Sequence, residues 1–461
     1  IELVPNRYKK ILTGQLEAAE FSKRLATIVV DVPIELHMDD CAINHYDKQK
    51  VIRFFQSLEF GQSLISRLPT PVTPASTVAL PETPKATPAY IPSQQLDMFG
   101  TMVTHQTTLR SGYHTVLTLE QLTEVVSQCR ATGAFAFDTE TTGTRVFQDA
   151  CIGISIACSA HEAWYIPIIH TNIEPIDRQV IIDTLRPLFA DGTIKKFTHN
   201  AKFDIEVLGQ LGITVTRVAF DSMLAASLLD KRRSLKELAF YELQLPDVPT
   251  TIDQLIGKGK QQITLDQVDI GAVTNYAASD ADYTWQLCQQ LHPQIAAVAG
   301  ISDIFSQLEM PLIDVLVRME QAGICVDAPY LHELSARVTA RIASLESEIY
   351  AIAGASFNIA SSDQLSDVLF GKLGLPTQGL ETTKTGRYSL TAEVLEKLRS
   401  SDQSLIIERI LQHRQLSKLK STYIDALPEL INPHTGRVHT SYNQLGAATG
   451  RLSSVEPNLQ I

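Results

Sequence analysis

Between Pro69 and Pro92 the chain sets Pro69, Pro71, Pro74, Pro81, Pro84, Pro88 and Pro92 among Thr, Ala and Ser. Each proline fixes one backbone angle and removes one amide donor, and the residues between them offer little to bury. Such a stretch cannot build a core and stays extended. The fold must therefore be assembled from pieces on either side of it. At 461 residues the chain is too long for one compact domain, and the usual domain size suggests about three. Residues 1–68 carry helical spacing, as in Tyr46 to Leu68, and read as the end of a domain. Residues 69–111 read as a linker, 112–300 as an α/β domain with a mixed sheet, and 301–461 as a mainly helical domain.

In the α/β part, Leu119 to Ala131 has helical periodicity, and Ala134 to Phe137 is a short apolar strand that delivers Asp138 at its end. Further strands are expected at Cys151 to Cys158, Ala163 to Ile168 and Ile194 to Thr198. Helices are expected at Asp177 to Phe189, Asp204 to Leu211 and Ser222 to Leu229. Beyond Asp303 the pattern turns helical, over Ile304 to Ala322, Ala328 to Ala353, Leu390 to Arg399 and Ser404 to Tyr423. From Asn432 the alternation of Val438, Thr440 and Tyr442 suggests a turn and a strand.

The formal net charge is -12, which argues against a surface that binds nucleic acid everywhere, because phosphate is repelled by a general acidic field. Any basic footprint must be local. Residues 371–461 hold 11 Lys and Arg against 8 Asp and Glu, so the positive surplus lies there. The cysteines Cys41, Cys129, Cys151, Cys158, Cys288 and Cys325 show no Cys-x-x-Cys spacing. That suggests neither a zinc site nor a disulfide framework, and a reducing, cytoplasmic setting is the plain expectation. No apolar run is long enough to span a bilayer. The start at Ile1, without Met, reads as a piece of something longer.

Three separated acidic clusters stand out: Asp138 and Glu140 in Phe-Asp-Thr-Glu-Thr, Asp204 in His-Asn-Ala-Lys-Phe-Asp, and Asp280 in Tyr-Ala-Ala-Ser-Asp. Singly, each has a structural explanation: a strand end, a helix cap, an ion pair. Gathered by a fold, they would suit two divalent cations about 4 Å apart, the arrangement that cuts phosphodiesters. Mg²⁺ takes hard oxygen ligands and a few carboxylates, with Mn²⁺ as a substitute. In a strand, Asp138 and Glu140 project from one face, so that one could bridge both ions. In a helix, Tyr276 stands one turn from Asp280, where its phenol could orient the attacking water.

These residues, with their flanks Phe137 to Thr141, His199 to Asp204 and Tyr276 to Asp280, resemble the three motifs of the proofreading 3′-to-5′ exonuclease of the bacterial family A DNA polymerases. The resemblance implies a ribonuclease H-like fold for residues 112–300. It implies Asp138, Glu140, Asp204 and Asp280 as ligands of two Mg²⁺ ions and Tyr276 as the residue that positions water. The family's wedging leucine and aromatic, which part frayed primer bases, correspond here to Thr144 and Ile252. Lys258 and Lys260 in Gly-Lys-Gly-Lys are candidates for phosphate contact, against the alternative of a solvated loop.

The resemblance extends further. Met310 to Asp327 is similar to the helix leading into the family's polymerase domain, and Leu416 to Pro428 with Asn432 to Gln460 to its thumb-to-palm stretch. Lys418 and Lys420, on an expected helix, are suited to holding duplex DNA by its backbone, against the alternative of a solvated helix face, and by the resemblance Arg451 in Thr-Gly-Arg-Leu-Ser-Ser would reach the minor groove near the primer terminus. Ile461 precedes the family's polymerase carboxylates, so the partial thumb and palm alone are expected to bind primer-template weakly and without extending it. Phe21 to Ile28 and Asp31 to Pro33 resemble the close of the family's 5′ nuclease domain, whose acids are absent, and no flap cleavage is expected. Gln95-Leu96-Asp97-Met98-Phe99 is similar to the peptide with which bacterial replication proteins grip the sliding clamp, with Leu96, Met98 and Phe99 filling apolar pockets and Gln95 as polar anchor, against the alternative of an apolar patch that docks the linker onto the exonuclease. Primer-template and single-stranded DNA are the expected partners of a monomeric chain. A free-standing exonuclease and a catalytically silent scaffold that positions DNA and clamp are the competing readings.

Overall fold

The computed structural model describes residues 16–28, 46–69, 94–96, 102–104, 108–378, 380–382, 388–401 and 405–460. The chain divides into two compact units, Ile1–Lys85 and Ala86–Ile461. In the first, the described residues form helices Leu16–Ala26, Lys48–Ser57 and Gln62–Ile65. Asp47 caps the second of these by accepting from the Lys50 amide at 3.1 Å, and Ile52 and Ile65 are buried.

The second unit opens on an antiparallel pair, β1 (Gln94–Leu96) and β2 (Met102–Thr104), inside the segment read as linker. Its centre is a six-stranded mixed sheet of β3 (Tyr113–Thr115), β4 (Ala134–Thr141), β5 (Cys151–Ser159), β6 (Glu162–Pro167), β7 (Lys195–Thr198) and β8 (Val218–Asp221), in the order β3-β6-β5-β4-β7-β8. Strand β4 pairs antiparallel with β5 and parallel with β7.

Residues alternate across β4. Phe135 and Phe137 enter a core with Ile154, Ile156, Leu185 and Leu188 under helices Leu119–Thr132 and Arg178–Ala190. Phe189 meets both rings edge to face, at 5.2 and 5.0 Å, a favoured aromatic geometry. The Leu119–Thr132 helix is bounded by a capping box from Thr118 and Gln121 and by Gly133, whose φ of 69° is costly for other residues. Over the opposite face of the sheet lies the long helix Ile270–Ala297. Its Ala277, Ala278 and Ala281 are fully buried against Ile152, Tyr165, Ala157 and Ala163, so small residues allow helix and sheet to approach closely.

Several elements differ from the sequence reading. Strands β3 and β8 were not anticipated, because three or four residues give too little alternation to register. Helix Ala201–Gln210 begins three residues before Asp204, following Asn200 at φ 74°. The segment Ile304 to Ala322 is not one regular helix: Ile301–Ile304 passes through a π-turn at Phe305–Glu309 into Met310–Ala322, with Pro311 accommodated near the start. Ala328–Ala353 runs as expected, capped by Asp327. It packs on helix Leu405–Leu419, and Ile349, Leu369, Leu395, Ile406 and Ile410 share a core. Near the end, β9 (Ser441–Asn443) pairs antiparallel with β10 (Ser453–Val455), and Val438 bridges to Ile324.

Within this unit the α/β part is fastened to the helical part by buried polar groups. Lys202, on helix Ala201–Gln210, donates to both oxygens of Glu320 at 2.7 and 2.9 Å and to Ser441 Oγ at 2.9 Å. The Tyr442 amide donates to Glu320 as well. Phe147 stacks on His439 at 4.2 Å and accepts a bond from Asn432 at its carbonyl. Arg233 reaches the Leu445 carbonyl at 2.7 Å.

Glu206, one turn beyond Lys202, is buried beside Glu320. Its pKa is pushed up to about 9, by burial first, then by the charge of Glu320 and a hydrogen bond to it. A carboxyl with its folded pKa above the unfolded value stabilises the fold fully at low pH and loses that contribution as pH rises through the folded value. Thermal stability should thus fall between about pH 5 and pH 9, and Glu206→Gln should remove part of the slope. The variant is expected to melt ~2 °C or more above the parent at pH 9 and close to it at pH 5. Parallel melting curves across that range would contradict this account.

Candidate metal centre

The alternation that sends Phe135 and Phe137 into the core turns Asp138 and Glu140 toward the face covered by helix Ile270–Ala297. That helix presents Tyr276 and Asp280 one turn apart. Carboxylate oxygens of Asp138, Glu140 and Asp280 all lie within 4.8 Å of one another. Asp204 stands beside this group rather than in it: its Oδ1 accepts the Thr139 amide at 3.0 Å and the Thr139 hydroxyl at 2.6 Å. Asp204, Asp280 and Glu140 are 2, 5 and 8 % exposed, so bulk water does little to solvate their charge.

The cost of that crowding appears in their acidities. Burial, then the charges of Asp204, Glu140 and Asp280, hold Asp138 well above the usual carboxylate range. Glu140 is pushed up to about 8 by burial and then Asp280. Asp204 rises to about 7 through burial, against the opposing pull of its bonds from Thr139. Burial also raises Asp280, with Lys236 pulling down, and raises the Tyr276 phenol, reinforced by the acids around it. Against four acids held this way, the single charge of Lys236 offsets only a part.

A divalent cation fits this donor set. The groups are hard oxygens, suited to Mg²⁺ or Mn²⁺ rather than to a thiophilic metal, and Glu140 Oε1 is buried with no hydrogen-bond partner among the described residues. The cation that the acids face in the structure is the Lys236 ammonium, from helix Leu235–Glu242. It pairs with Asp280, bonds Ser279 Oγ at 3.0 Å and lies 4.1 Å from the centre of the Tyr276 ring.

Three residues of the site escaped the sequence reading. Lys236 is a single lysine in Ser-Leu-Lys-Glu-Leu, with nothing local to distinguish it from a solvated helix face. Thr139 was legible only as the residue between two acids. Asp221 sits at the end of β8 and accepts from the amides of Ala201 at 2.7 Å, Met223 at 2.8 Å and Leu224 at 3.1 Å. It thereby caps two helices at once and fixes the start of the helix that carries Asp204.

The remaining candidates are dispersed. Lys258 is exposed and paired with Asp253 at 2.8 Å, and Ile252 is exposed at the start of helix Ile252–Ile256. Thr144 lines a cavity of about 800 Å³ together with Arg145, Asn200, Arg233, Tyr442 and Gln444. Lys418 and Arg451 are exposed. Lys420 is engaged with Asp425 at 2.5 Å and Ser335 at 3.0 Å, and so ties its turn to helix Ala328–Ala353. Gln95 and Leu96 lie in β1 opposite Val103 and Met102, while Met98 and Phe99 lie outside the described residues. Among the described residues no helix is long and apolar enough to cross a membrane.

Comparison with known proteins gives this geometry a lineage. Residues 113–296 match the family model for 3′-5′ exonuclease, and residues 328–461 match that for DNA polymerase family A. Through these two segments the chain is similar to family A of the DNA polymerases over most of its length. Its relatives are bacterial enzymes called DNA polymerase I. That of Chloroflexus aurantiacus is 47% identical over 466 residues, covering 100% of this chain and 49% of the relative. That of Pseudomonas aeruginosa is 36% identical, covering 99% and 48%. The chain thus spans about half the length of the curated relatives it matches. Among solved structures, the POL domain of Pol1 from M. smegmatis in complex with DNA primer-template and dNTP matches with a TM-score of 0.60 at 26% identity, over 75% of this chain and 55% of that one. A ribonuclease H-like exonuclease fold followed by a helical polymerase part accords with both matches.

Proposed function

We propose that this chain carries a Mg²⁺-dependent 3′-to-5′ exonuclease that trims mismatched primer ends, housed in a DNA polymerase I of which residues 301–461 are the thumb and the start of the palm. The observation that carries the reading is the convergence of Asp138, Glu140 and Asp280 within 4.8 Å inside the segment matched as exonuclease. Asp138, Glu140 and Asp280, with Asp204 beside them, would hold the cations, Mn²⁺ serving in place of Mg²⁺. Bound there, divalent cations supply an activated water and neutralise charge on the phosphate. The chain's own residues do the rest. Thr139 holds Asp204, the Tyr276 hydroxyl orients the water, and burial keeps the acids in a setting of low polarity. The water attacks the terminal phosphorus, the bond to the preceding 3′ oxygen breaks, and a nucleoside monophosphate leaves.

The same reading takes Arg451, Lys418, Lys420, Lys258 and Ile252 as DNA contacts and Gln95, Leu96, Met98 and Phe99 as a clamp tether. Intact acids disfavour a catalytically silent scaffold, and the match across residues 328–461 disfavours a free-standing nuclease. Incubation of the purified chain with Mg²⁺ and a primer labelled on its mismatched 3′ nucleotide tests the proposal. Release of labelled mononucleotide is expected, and a primer that stays intact would remove it. Tyr276→Phe, which deletes only the hydroxyl, should slow single-turnover release roughly 10- to 100-fold while leaving Mn²⁺ affinity unchanged. An undiminished rate would take water positioning away from Tyr276.

A further inference from the structure

The acidic centre contains a cation of its own. Lys236 reaches it from helix Leu235–Glu242, an element outside the three acidic motifs, and its side chain is only 13 % exposed. Isolated, an ammonium so placed is unfavourable, and it persists because several groups hold it. Asp280 supplies the opposite charge, Ser279 accepts a hydrogen bond at 3.0 Å, and the rings of Tyr276 and Tyr283 lie 4.1 and 5.6 Å from the nitrogen. Ring faces attract cations of this kind. Lys236 therefore touches an acid and the aromatic residue placed one turn before it.

We propose that Lys236 is an internal counter-cation that holds Asp280 and Tyr276 in position and competes with a divalent cation for the Asp280 carboxylate. This rests on the reading of the acidic cluster as a divalent-cation site. Its consequence is a site that keeps its shape without metal and binds metal less tightly than its acids alone would. A cation arriving at Asp280 meets a like charge within contact distance, and the two repel. Removing the ammonium while keeping its stem removes that repulsion, along with the clamp on the metal-free arrangement.

Mn²⁺ is the probe, with its free concentration followed by paramagnetic resonance on the full chain, and unfolding is followed by melting in chelator. Lys236→Met should bind Mn²⁺ about tenfold more tightly or better and melt several degrees lower without metal, with Mn²⁺ restoring the loss. Lys236→Arg keeps the charge and should stay close to the parent in both measurements. Should Lys236→Met not fold, Lys236→Gln carries the same expectations. Unchanged or weaker Mn²⁺ affinity in the uncharged variants overturns the proposal while leaving the metal site intact. If Mn²⁺ binds neither the parent nor any Lys236 variant, or binds undiminished to Asp138→Ala plus Glu140→Ala, the reading of the cluster as a metal site falls and this proposal with it.

Discussion

Asp138→Ala combined with Glu140→Ala is expected to reduce release of the primer's 3′ nucleotide by roughly a thousandfold or more. Asp138 and Glu140 are two of the three carboxylates that meet within 4.8 Å, and in the proposed reaction cation binding is asked to supply several kcal/mol of transition-state stabilisation. Each 1.36 kcal/mol is a factor of about ten. Unfolding would not account for the loss. Both acids have pKa values raised by burial and by neighbouring acids, so at pH 8 each ionises against a penalty that alanine does not carry. The melting point in chelator should then be no lower than the parent's, and Mn²⁺ should no longer raise it. Degradation of the mismatched primer at the parental rate would sink the assignment of these acids.

Lys202→Met is expected to destabilise the fold by about 3–5 kcal/mol, the usual cost of leaving one member of a buried ion pair without its partner. The pair is 14 and 2 % exposed on its two sides, and Glu320 would keep its burial and its bond from the Tyr442 amide while losing its counter-charge. A fall in melting point of roughly 5 °C follows for a unit of this size. Adding Glu320→Gln should recover much of the loss, because the uncompensated charge is then gone, and a double-mutant cycle isolates the coupling. A single-variant cost below about 1 kcal/mol, the range of exposed pairs, would show that the pair is not buried in solution.

Much of the site was legible because its spacing matches backbone periods. Asp138 and Glu140 differ by two in a strand, and Tyr276 and Asp280 by four in a helix, so one face follows from each count. What escaped depends on contacts between distant segments. The helix bearing Asp204 starts at Ala201 because Asp221, on another strand, bonds the Ala201 amide, and no local cap marks that place. Lys236 and Lys202 look alike in sequence, each a lysine that follows an apolar residue, yet one enters the acidic centre and the other pairs with Glu320. Lys420 gave the sequence signal of a DNA-facing lysine, and the fold engages it with Asp425 and Ser335.

The fastening of Lys202 to Glu320 and Ser441, with the Tyr442 amide bonded to the same Glu320, bears on how such enzymes can be recombined. The three motifs fall between residues 137 and 280, and the matched exonuclease segment closes at 296, yet the helix that carries Asp204 is buttressed by residues up to 442. A nuclease transplanted from a relative by cutting near residue 300 would arrive with Lys202 and Glu206 facing strangers. The portable module is larger than the domain: it includes helix Met310–Ala322 and strand β9, and a chimera respecting that boundary keeps its buried charges matched.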